Sequence, residues 1–164
     1  MTDLNKTPVG YIPNRGEVRK MLGNLVRGAA SSYQRVDTYQ SDDLAGESPI
    51  LRIMSSGSYR PGQTFQGTSA KFHYTLQSLV LYKDEQDYNG VPSTWTPENA
   101  EDTLDDLEMQ LAAALFNQKF DRNQPIMSIE QASDSRIRKD VIQGKTYLVE
   151  YIPITVEVRY GKTI

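Results

Sequence analysis

The chain of 164 residues has no cysteine and a single histidine, His73. The first absence excludes a disulfide scaffold, thiolate metal sites and a cysteine nucleophile. The second excludes multi-histidine metal centres. A serine triad would have to use His73, and no G-x-S-x-G elbow is present; Ser55-Ser56-Gly57-Ser58 is not one. No apolar run approaches the roughly 20 residues that span a bilayer. The opening stretch, MTDLNKTPVGYIPNRG, lacks the apolar core of a signal peptide. These absences lead to the expectation of a soluble, intracellular protein that is not an enzyme, with no cofactor, no metal and no membrane partner.

Hydrophobic residues make up 38% and charged residues 24%, the composition of a globular chain. The length suits one domain with a sizeable core. Residues 1–13 contain Pro8 and Pro13 and no hydrophobic period, and they are expected to form an extended arm. Residues 14–164 are expected to form a single α+β domain.

The stretch from Thr96 to Gln118 is the organising element. Thr96 is an N-cap candidate and Pro97 suits the first helical position, where its missing N–H costs nothing. Leu104, Leu107, Leu111, Ala114 and Leu115 recur at spacings of three and four, which line one helix face. Six carboxylates, Glu98 to Glu108, crowd the first half, near the positive end of the helix dipole. A second amphipathic helix is expected after Asn14, which forms a capping box with Glu17 and precedes Val18, Met21, Leu22, Leu25, Val26 and Ala29.

Strand patterns fill the remainder. Ile50–Ser55 is a candidate. Lys71–Tyr82 places Phe72, Tyr74, Leu76, Ser78, Val80 and Tyr82 on one face. Ile126–Gln131 is a third, and Gln143-Gly144 reads as a turn joining Ser135–Ile142 to Lys145–Tyr160. Pro153 cannot donate to a ladder and is expected at a sheet edge or a bulge. Tyr33–Glu47 and Lys83–Trp95 read as connections. The expected fold is α+β, a mixed, mainly antiparallel sheet of four to five strands packed with two amphipathic helices. Its order is helix, two strands, helix, then two or three strands.

Residues 55–69 hold three glycines and a proline, too many residues for a tight hairpin. Loops of such length tend to be functional or mobile. Tyr59, Arg60, Phe65 and Gln66 are its candidate partner contacts, because Tyr and Arg are enriched at interfaces. Gly62 to Ser69 has the spacing of a phosphate-binding loop, but the lysine position is Thr68 and the next residues alternate like a strand, not a helix. A small nucleotide-binding enzyme using residues 62–69 is therefore a remote alternative. Asp102-x-x-Asp105-Asp106 has the outline of an aspartate motif for Mg²⁺, yet the second motif such enzymes need is missing; the run reads as a solvated acidic face.

The net charge of −3 conceals a polarity. Residues 83–108 carry nine acidic groups and one basic, whereas residues 1–39 and 119–164 are each net basic. No block is basic enough for a nucleic-acid footprint. One reading is solvated surface. The other is an acidic flank of one subunit meeting a basic flank of the next, a contact that closes into a ring when the rotation permits. The acidic candidates are Asp84, Glu85, Asp87, Glu101 and Asp105. The basic ones are Arg15, Arg19, Lys20, Arg136, Arg138 and Lys139.

A strand of the form Phe-x-Tyr-x-Leu, Phe72 to Tyr82, is followed by an acidic segment. Then comes an amphipathic helix carrying Ala-Glu-Asp-x-Leu-Asp-x-Leu-Glu, Ala100 to Glu108, and a closing hairpin. That order, behind a short N-terminal helix, resembles the tail terminator and tail-completion proteins of long-tailed bacteriophages, over residues 14–160. The resemblance implies a structural virion protein in the tail and neck region, assembled in the host cytoplasm. It implies a hexameric ring that caps the tail tube, stops its polymerisation and joins it to the neck or connector. In that family one sheet face packs on the helices, and loops or hairpins reach neighbouring subunits and a lumen. The implied partners are further copies of the chain, the tail tube protein and the connector. DNA passes such a lumen without its sequence being read. The alternative within the class is another neck, adaptor or minor tail protein.

Overall fold

The computed structural model describes residues 13–60, 69–82, 96–121 and 123–159. The proposed N-terminal arm lies outside them, apart from Pro13. Helix α1 spans Arg15–Ala29, and its cap is the expected one: Asn14 Oδ1 accepts from the Glu17 N–H at 2.8 Å. Strand β1 is Arg35–Asp37, β2 is Ile50–Tyr59 and β3 is Ser69–Leu81. Helix α2 is Pro97–Leu111, capped by Thr96 through the Asn99 N–H at 3.2 Å. Ala112–Phe116 continues it in one wider turn. Strands β4 (Ile126–Gln131), β5 (Arg136–Ile142) and β6 (Lys145–Arg159) complete the domain. Gln143 and Gly144 both take positive φ, 51° and 76°, as the tight β5–β6 turn demands.

The fold is α+β with a mixed, mainly antiparallel sheet. Its strand order is β1-β2-β3-β6-β4, and β5 also pairs with β6. The long β6 pairs with β3 along one side. On its other side it pairs with β5 through Lys145–Tyr151 and with β4 through Ile154–Val158. The six strands include one that the pattern does not signal. The three-residue β1 lies inside the stretch read as a connection and runs parallel to β2, with Val36 opposite Leu51. Three residues are too few to display a period.

Both helices cover one face. Val18, Leu22 and Val26 of α1 and Leu104, Leu107 and Leu111 of α2 bury against Leu51, Ile53, Phe72, Tyr74, Leu76, Ile152, Ile154 and Val156. Burying a Val, Leu, Ile or Phe side chain contributes about 1.5–3 kcal/mol, so this layer carries the stability. A smaller cluster forms on the opposite face, where Leu44 from the β1–β2 connection covers Ile50, Leu79, Leu81, Tyr147 and Val149. That cover ends the alternation of β3: Gln77, Leu79 and Leu81 are buried along with their neighbours.

Two expectations need correction. Strand β2 does not stop at Ser55. It runs to Tyr59 through a bulge between Ser55 and Gly57, so the connection to β3 is shorter than 55–69. Serine and glycine are poor strand formers, and the pairing with β3 overrides that preference. Pro153 is neither at a sheet edge nor at a bulge of its strand. It lies in the interior strand β6, opposite Thr75. Its carbonyl accepts from the Ala132 N–H at 2.9 Å, where the chain passes from β4 to β5. The missing donor therefore coincides with a break in the neighbouring ladder.

Candidate assembly surfaces

The residues expected to touch partners divide among four places. Tyr59 is the last residue of β2, opposite Lys71 in the ladder, and is 60% exposed. It belongs to a strand end and not to a free loop. Arg60 holds its guanidinium 5.3 Å from the centre of the Phe72 ring, on the helix side. Phe65 and Gln66 lie outside the described residues, as do Asp84, Glu85 and Asp87.

On α1 the three cations expected at an interface differ. Arg15 and Lys20 are exposed. Arg19 donates to the Thr38 carbonyl and, at 2.7 Å, to Ser55 Oγ, so its guanidinium is held inside the subunit. Arg27 likewise reaches the Val36 carbonyl at 2.8 Å. Tyr74 Oη donates to the Arg15 carbonyl at 2.7 Å. These bonds tie α1 to β1, β2 and β3.

On α2, Glu98, Glu101, Asp102, Asp105, Asp106 and Glu108 are all exposed. None forms an ion pair among the described residues. Met109 stands among them at 70% exposure. Glu101, Asp105 and Met109 follow one another at steps of four and share a face.

Strand β5 carries the remaining cations. Arg136 is exposed. Arg138 stacks 4.3 Å from the centre of the Tyr151 ring and pairs with Asp140 at 3.4 Å. The Tyr151 hydroxyl donates to the same Asp140 carboxylate. Lys139 holds its ammonium 5.7 Å from the Tyr82 ring centre. On the same strand, Ile137 is 53% and Val141 68% exposed. Among the described residues no strand pairs with the outer edge of β5.

Three buried polar groups escape a reading of patterns aimed at surface charge. Glu150 on β6 faces the helices and accepts from Ser135 Oγ at 2.6 Å. Burial raises its pKa above the ordinary carboxylate range; Ser135 opposes this, while the negative charges of Glu108 and Asp105 add to it. Tyr33 shares a 2.6 Å hydrogen bond with Ser78, and burial pushes its hydroxyl pKa upward. Arg52 donates to the Ser41 carbonyl at 2.8 Å and to Gln77 Oε1, and burial lowers its pKa. Glu150 does have a signal: it extends the inward-facing series Ile152, Ile154, Val156 and Val158 by one step.

His73 is half-buried, with Nδ1 3.1 Å from Thr155 Oγ1 on the neighbouring strand. Among the described residues no group of three or more His, Asp or Glu is placed to hold a metal. No helix there is long and apolar enough to cross a membrane. Residues 62–68 lie outside the described set. The next element in the chain is the strand β3, and not the helix a phosphate-binding loop requires. A groove of about 330 Å³ runs between α1 and the segment before β4, lined by Met21, Leu25, Phe120, Pro125 and Ile126.

No family model matches the chain, and no curated protein does. Among solved structures, it is similar to a chain in the virion of a native gene transfer agent (GTA) particle. The two are 12% identical, with a TM-score of 0.42, over 88% of this chain and 91% of that one. A likeness that distant describes outline and carries no functional argument.

Proposed function

We propose that the chain is a structural virion protein of a long-tailed bacteriophage. It forms a ring at the end of the tail tube, ends tube growth and joins the tube to the neck or connector. The observation that carries this reading is the one-sided layering. Both helices pack on the same sheet face, and β5 of the closing hairpin forms an exposed border among the described residues, in keeping with the packing and the reaching hairpins that the resemblance to tail terminators implies. Charge separation adds support: the α2 carboxylates have no cation of their own among the described residues, and the exposed cations sit on β5 and at the start of α1. The partners are further copies of the chain in a ring, a hexamer under the same resemblance, together with the tube and connector proteins. Its place is the tail and neck of the virion.

The test is electron microscopy of particles assembled without this protein. The expected result is tubes of unregulated length beside separate filled heads, restored by supplying the protein in trans. Tubes of normal length that fail only to join heads would move the protein to an adaptor or neck position. Normal infectious particles would end the reading.

A further inference from the structure

We infer that the outer edge of β5 is a docking surface for a second copy of this chain, which presents the outward face of α2 to it. The inference rests on the ring-forming reading only in that the chain self-associates. The virion role can fail while this contact stands.

The first observation is the make-up of β5. Five of its seven positions are exposed, and among the described residues the strand pairs with β6 alone. Ile137 lies exposed between Arg136 and Arg138, and Val141 lies exposed beyond Lys139 and Asp140; the period of two places Ile137, Lys139 and Val141 on one face. A free strand edge with apolar side chains is an association hazard, which charge on the edge limits to selected partners. The partner suited to it has apolar surface with a negative surround.

The second observation is that α2 offers such a surface at a local cost. Glu98–Asp102, Glu101–Asp105 and Asp102–Asp106 are like-charge pairs at a spacing of four, a spacing that destabilises a helix. The favourable dipole reaches only the first turn, so Asp105, Asp106 and Glu108 receive little from it. No cation of the described chain compensates them. Met109 stands beside Asp105 with 70% of its surface exposed. A helix face that opposes its own folding and shows methionine to water is a conflict of the kind found at functional sites. A neighbouring β5 resolves it: cations meet carboxylates, and Ile137 and Val141 cover Met109.

The test uses complementary charge reversal and the mass of the assembled protein at low and physiological salt. One variant carries Glu101→Lys with Asp105→Lys. The other carries Arg136→Glu with Lys139→Glu and leaves Arg138 in its stack on Tyr151. Melting curves confirm that each is folded. Each variant alone is expected to remain monomeric where the unmodified chain assembles. Mixed in equal amounts they should assemble again with alternating copies, since each then presents to the other the opposite charge. A second pair of changes, Ile137→Thr with Val141→Thr, keeps the strand preference and should shift half-assembly to at least tenfold higher protein concentration. The inference is overturned if the unmodified chain is monomeric, if either reversal assembles normally alone, or if the mixture fails to assemble while both variants are folded.

Discussion

The two helices have equal length and the same kind of N-cap, yet they treat their polar side chains in opposite ways. Helix α1 ties two of its four cations to the subunit: Arg19 binds the Thr38 carbonyl and Ser55, and Arg27 binds the Val36 carbonyl, while Arg15 and Lys20 stay exposed. Helix α2 leaves its carboxylates without an ion-pair partner among the described residues. Each buries one apolar stripe against the same sheet face. The difference separates two tasks that one amphipathic pattern conceals. The α1 polar face clamps the fold, and the α2 polar face does little for it.

The apolar stripes should be equivalent. Leu22→Ala in α1 and Leu107→Ala in α2 each replace a fully buried leucine and should each cost about 2–5 kcal/mol in denaturant unfolding. A small loss at Leu107 alone would mean that α2 packs loosely, and the contrast would lie in the core and not at the surface.

The polar faces should differ. Arg19→Ala removes charge-assisted bonds to Thr38 and Ser55 and should cost about 1.5–3 kcal/mol. Equal tolerance of this change and of changes to the α2 carboxylates would erase the comparison.

Glu150 extends the contrast to pH. Its pKa in the folded chain is raised, first by burial, so the folded state holds the proton more tightly than the unfolded state does. Its contribution favours folding fully below the unfolded carboxylate range and is lost as pH rises through the raised value. Glu150→Gln should therefore raise the melting temperature at neutral pH and lose that advantage in acid. An advantage independent of pH would show that Glu150 titrates alike in the folded and unfolded chains.

The smallest effect is expected on the α2 surface. Glu101→Gln with Asp105→Asn removes a like-charge pair and should stabilise the isolated subunit by about 0.2–0.5 kcal/mol. A clear loss of stability would show that these carboxylates have a structural partner within the subunit.

What the sequence discloses depends on repetition. The stripe from Leu104 to Leu115 and the alternation in β3 and β6 repeat often enough to specify helix, strand and buried face, and the caps Asn14 and Thr96 mark where the helices begin. Strand β1 and the last residues of β2 are legible only from their neighbours, since a ladder can recruit Ser55 to Tyr59 against local preference. The candidate surfaces are legible as charge and not as commitment. Composition ranks Arg19 and Lys20 as equal cations, but only the placement of Thr38 and Ser55 removes Arg19 from the pool available to a partner.

Strand β6 comes after every strand it joins, and it borders β3, β4 and β5 at once. A nascent chain that has emerged only as far as Gly144 holds β3 with one whole flank unpaired, and holds β4 and β5 with no sheet to enter. Their pairing waits on residues 145–159, at sequence separations that make closure slow. Vectorial synthesis thus delays the finished sheet border until the whole span has left the ribosome. A truncated product lacks the edge on which another copy is proposed to dock.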